Sequence, residues 1–112
     1  MPDGTLDQSF GQKGVVLTGV AMTAVRMLGQ ADGKLVFAGA TPASGFAIAR
    51  MNADGTMDTT FGGAGGTAGL ATIDFGQGSA TVWGLAVDAY GRILVAGDSG
   101  SPSTPALVRL WP

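Results

Sequence analysis

The sequence has no cysteine, no histidine and no glutamate. Without cysteine there is neither a disulfide nor a thiolate metal site, and the redox compartment stays open. Without histidine there is no imidazole base, no histidine-dependent triad and no imidazole metal ligand. All eight acids are therefore Asp. Glu favours helices, whereas Asp favours turns. Charge is sparse, at 12% of residues, and the six cations Lys13, Arg26, Lys34, Arg50, Arg92 and Arg109 are scattered along the chain. With a net charge of −2 and no basic cluster, neither a nucleic acid nor an anionic membrane is an expected partner. No apolar run approaches the ~20 residues of a membrane-spanning helix. The chain opens Met1-Pro2-Asp3-Gly4, in turn chemistry, so no signal peptide is expected in it.

What is abundant is glycine, 20 of 112 residues, alongside 46% hydrophobic residues. That much apolar surface must be buried, which excludes a glycine-rich disordered chain. The glycines mark the limits of a repeat. Asp3-Gly4-Thr5-Leu6-Asp7-Gln8-Ser9-Phe10-Gly11 returns as Asp54-Gly55-Thr56-Met57-Asp58-Thr59-Thr60-Phe61-Gly62. Gly33-Lys34-Leu35-Val36-Phe37-Ala38-Gly39 returns as Gly91-Arg92-Ile93-Leu94-Val95-Ala96-Gly97, and Ala47-Ile48-Ala49-Arg50-Met51 as Ala106-Leu107-Val108-Arg109-Leu110. The second copy carries a longer segment between Gly62 and Trp83. Three blocks in one order are the mark of a tandem repeat.

The blocks read as strands: short apolar runs bounded by Gly, with Asp-Gly turns between them and no sustained 3.6-residue period. The runs predict strands near residues 21–28, 34–40 and 46–51, an outer strand near 66–75, and a second trio near 81–87, 92–97 and 106–111. A spare outer strand is expected at 14–19, and the second trio lacks one. The chain thus reads as one unit, 1–112: an outer strand within 3–20 that completes a neighbour's blade, a blade over 21–75, and a partial blade over 81–112.

Leu6-Asp7-x-x-Phe10-Gly11, then Asp32-Gly33-Lys34-Leu35-Val36-x-Ala38-Gly39, then Phe46-Ala47-x-Ala49-Arg50-x-Asn52-x-Asp54-Gly55 resembles the delta-60 repeat. The resemblance covers essentially the whole chain. It implies blades of a β-propeller and a tandem array in a bacterial, often secreted or surface, protein. The second copy departs from the pattern at Tyr90, Pro105 and Trp111, where the repeat has Asp, Phe and Asn. The fold class expected is all-β, with four-stranded blades, two per chain. Propellers close with about 4–8 blades. Closure by strand exchange in a cyclic homo-oligomer is therefore expected, a trimer first and a tetramer second. A fragment of a longer array is the alternative.

Candidate chemistry is thin. Gly62 to Gly69 has the glycine content of a phosphate loop but leads into an apolar strand pattern, not a helix. Asn52, Asp54 and Asp58 place oxygens around a Gly turn as a calcium loop does, while turn capping uses the same residues. Arg50 and Arg109 interrupt apolar strands in register, and Asp7 and Asp58 recur with them, so a structural Arg–Asp tie is expected. Asp74, Asp88 and Asp98 are the only candidates for an acid pair. Trp83, Tyr90 and Trp111 are candidate sugar-stacking side chains, with Trp83 expected in the core. The expected function is a non-enzymatic scaffold or binding module without a cofactor. A lectin-like propeller is the first rival, and an Asp-based hydrolase comes last.

Overall fold

A computed structural model describes residues 3–16, 22–41, 45–62, 69–74, 80–100 and 104–111. Among the described residues seven strands form two antiparallel sheets. The first contains β1 (Thr23–Gly29), β2 (Leu35–Ala40), β3 (Gly45–Met51) and β4 (Leu70–Asp74), in chain order. The second contains β5 (Ala80–Val87), β6 (Ile93–Ser99) and β7 (Thr104–Leu110). Each expected strand among these is present, with ends shifted by a few residues. The spare strand at 14–19 is not one in its described part: Gln12 and Val15 form an isolated bridge instead. Residues 17–19 lie outside the described ones, as do parts of the 66–75 strand.

Equivalent turns join the strands, with Ala and Gly recurring at the same places. Gln30 N donates to Lys34 O at 2.8 Å and Gly33 N to Gln30 O at 3.0 Å. In the second sheet Asp88 N donates to Arg92 O at 2.9 Å and Gly91 N to Asp88 O at 3.0 Å. Gly33 and Gly91 take φ of 86° and 79° there, a region costly for any residue with a Cβ.

The sheets pack face to face. Val36 and Ala38 of β2, Phe46 and Ile48 of β3, and Phe61 meet Val82 of β5 and Ile93 and Val95 of β6 in one buried cluster. On β6 alternate residues are buried, as expected of a strand covered on one face. β3 is buried throughout, because the opposite face of its sheet has a second cluster. There Phe37, Ala49 and Met51 pack with Met57 and Leu70 and with Val16 of the N-terminal segment. That segment is also fixed by Gly11 N donating to Asp54 O at 2.7 Å.

Among the described residues the second sheet has no such cover: β7 pairs only with β6, and its exposure alternates along its length. Leu107 is 79% exposed, whereas Ile48, its counterpart in the first repeat, is fully buried.

Candidate functional site

Arg50 on β3 sets up the most elaborate polar cluster. Its Nε donates to Asp58 Oδ2 at 2.8 Å, and its guanidinium lies 4.8 Å from the Phe61 ring centre. Lys34 Nζ donates to the same Oδ2 at 2.8 Å and to Asn52 Oδ1 at 2.9 Å. Asp58 Oδ1 accepts from the amide and hydroxyl of Thr60 at 3.0 and 2.5 Å. Asp58 is only 2% exposed, so its charge has little water to rely on. The Lys34 ammonium first, then Thr60, with Arg50 adding to them, hold its carboxyl well below the usual carboxylate range against the opposing effect of burial.

The calcium candidates take part in the same contacts. Asp58 faces two cations. Asp54 Oδ1 accepts instead from the hydroxyl and amide of Thr56, at 2.7 and 3.0 Å. Asn52 reaches Lys34 and Thr56. The three side chains therefore serve turn and ion-pair roles and do not share one coordination point. Among the described residues, no group of three acids gathers as a metal site.

In the second repeat Arg92 and Arg109 stand where the first has Lys34 and Arg50. Among the described residues Arg109 has no ion-pair partner. Arg92, at the position of Lys34, turns to Asp88, with Nε to Oδ2 at 2.7 Å. Its guanidinium lies 5.0 Å from the Tyr90 ring centre and 5.3 Å from that of Trp111. Tyr90 and Trp111 are 77% and 73% exposed. Trp83, expected in the core, is 52% exposed. The cause is a bulge: the ladder steps from Val82↔Gly97 to Gly84↔Ala96 and leaves Trp83 without a partner.

Asp88 and Asp98 do not form an acid pair. Asp88 lies in the turn before β6 and Asp98 near the far end of that strand. About 20 Å of extended chain separates them, against the ~5–9 Å needed for paired carboxyls. Asp74 ends β4 in the other sheet. Of the glycine-rich segment, residues 63–68 lie outside the described ones. Among the described residues no helix follows it, and β4 comes next.

Between the sheets a cleft of about 500 Å³ opens beside the two equivalent turns. Leu28, Gln30, Asp32, Val87 and Asp88 line it, with Arg50 among them. Sequence reasoning did not single it out, because its walls come from two repeats. It also missed Lys34 as a partner of Asp58, although Lys34 and Arg92 share a repeat position and could have pointed to a recurrent cation.

Two sheets of one repeat, stacked face to face and joined in series, define consecutive blades of a β-propeller. A family model described as "Domain of unknown function (DUF5122) beta-propeller" matches residues 30–61 and 91–112, so each blade contributes one of the two matched stretches. That match is consistent with the delta-60 resemblance. No curated protein and no solved structure matches the chain.

Proposed function

We propose that this chain is a non-enzymatic β-propeller scaffold and binding module that closes its ring with copies of itself. Three chains would give six blades; four would give eight. The observation that carries the reading is the difference between the two sheets. Among the described residues the first has a fourth strand and is covered on both faces, while the second has three strands and an exposed outer side. An open apolar sheet edge invites pairing with another chain. Head-to-tail contacts of that kind close as cyclic symmetry. Light scattering on the 112-residue chain tests this: three or four times the 11.1 kDa chain mass is expected. A well-folded monomer would overturn it.

A second reading has its own support. Tyr90 and Trp111 both hold exposed rings close to the Arg92 guanidinium, and aromatic faces beside polar groups suit a sugar. A ring would repeat that surface around its axis and multiply weak affinity. Titrating simple sugars while following tryptophan fluorescence tests it. A saturable change lost in Trp111→Ala, with the assembly intact, supports a lectin-like module. No change, and no signal on a glycan array, leaves the scaffold reading alone.

A further inference from the structure

The N-terminal segment is a structural duplicate of the segment that completes the first blade. Phe10 N donates to Asp7 O at 3.1 Å, as Phe61 N does to Asp58 O at 3.1 Å. Gly14 N donates to Phe10 O at 2.7 Å, as Gly69 N does to Phe61 O at 2.7 Å. Asp7 Oδ1 accepts from Ser9 N at 2.9 Å, as Asp58 Oδ1 does from Thr60 N at 3.0 Å. Gly11 and Gly14 take φ of 57° and 91°, against 68° and 88° at Gly62 and Gly69.

In the first blade this motif is fully used. Arg50 N donates to Gly69 O at 3.1 Å and Asp58 N to Arg50 O at 2.9 Å. Arg50 Nε takes Asp58 Oδ2, Met57 bridges Met51, and Leu70 pairs with Ala49. In the N-terminal copy the same groups are idle. Among the described residues Asp7 meets no cation and Gly14 O accepts no hydrogen bond, while Leu6 and Val15 are 60% and 46% exposed. The second blade shows the complementary deficit: among the described residues Arg109 has no acid, and Val108 and Leu110 have no strand beyond them.

We propose that the second blade is a socket for the N-terminal segment of a second copy of this chain. This rests on the ring reading above and names its contact. The second copy's Asp7 pairs with Arg109, its Phe10 ring lies against the Arg109 guanidinium, and its Leu6 and Val15 sit opposite Leu110 and Val108. The register is that of the first blade, residue for residue. Charge is complementary, an idle acid meeting an idle cation. The donor need not leave its own blade, because the segment stays on that blade through Gly11 and Val16. Each copy therefore gives and receives at once, and the contact repeats head to tail.

Two measurements on the full 112-residue chain test it. In the first, Asp7→Asn, Arg109→Gln and the double variant are compared by light scattering across a dilution series. Asp7→Asn keeps the turn acceptor for Ser9, so the segment retains its shape. Each single change is expected to raise the midpoint of dissociation at least about tenfold, and the double change no further than the worse single. Effects that multiply, or variants that assemble like the parent, overturn the socket while the ring reading stands. A parent chain that is itself monomeric overturns both. In the second, Val15→Cys and Val108→Cys are introduced together into this cysteine-free chain. Leu70 and Ala49 are a non-hydrogen-bonded pair in the first blade, the closer kind across antiparallel strands. Oxidation is expected to give covalent multimers that a reductant collapses. Failure to cross-link, or a bond closed within a single chain, overturns the register.

Discussion

Asp58 shows how much one residue does in a blade. Its side chain caps a turn through Thr60 and neutralises two cations from neighbouring strands. Asp58→Asn keeps the shape and removes the charge, leaving Arg50 buried at 7% exposure without a counter-ion. Loss of a buried partner costs about 3 kcal/mol, to be read from denaturant unfolding at pH 7. The dependence on pH has a definite sign. The folded-state carboxyl titrates below its unfolded value of about 3.9. Its contribution is therefore complete above that value and lost as pH falls through the folded one. The gap between parent and variant should shrink progressively below about pH 4 and hold steady from about pH 5 to 8, where no histidine is present to titrate. An equal gap at pH 7 and pH 2.5 would show that the charge is not the source.

At the level of strands, the blades meet where a large side chain crosses a missing one. Phe46 of β3 sits over Gly97 of β6: a Cβ at Gly97 would come 2.7 Å from Phe46 Cζ and would also collide with Thr81 O. The Phe46 side chain can turn only by disturbing the core, and the carbonyl belongs to a paired strand. Gly97→Ala is expected to lower stability by ~1–3 kcal/mol as an overpacked core does. Gly29→Ala is the control, since a Cβ there meets nothing within 4 Å. A denaturation midpoint for Gly97→Ala equal to that of Gly29→Ala would refute this packing. The strands themselves could be read from the sequence because Gly and Asp-Gly bound each apolar run, and the repeat supplied a second copy of every boundary. Trp83 could not, because its place inside an apolar strand suggested the core, whereas a bulge beside Val82 turns it outward. Nor could the Lys34–Asp58 contact or the cleft between blades, which depend on how separate segments meet in space.

At the scale of the molecule, the two blades bury one face of each other and, among the described residues, leave the outer side of the second open. Leu107, Trp111 and Tyr90 are all more than 70% exposed, an arrangement a solitary propeller fragment of this size would keep wet. Stability should then depend on association. If copies bind the folded state and not the unfolded one, mass action links melting temperature to protein concentration. The chain is expected to melt at a higher temperature as concentration rises, with the increase continuing until the assembly is saturated. Differential scanning calorimetry over a hundredfold concentration range measures this, with light scattering on the same samples. Pairing the two matters: a rising melting temperature with constant mass would come from something other than assembly. Arg109→Gln should flatten the rise by weakening the contact, whereas Lys13→Gln, an exposed change in the N-terminal turn that touches none of the paired groups, should leave it unchanged. A melting temperature independent of concentration, in a chain that light scattering finds monomeric, would mean that two blades are stable alone and that the open side of the second serves some other partner.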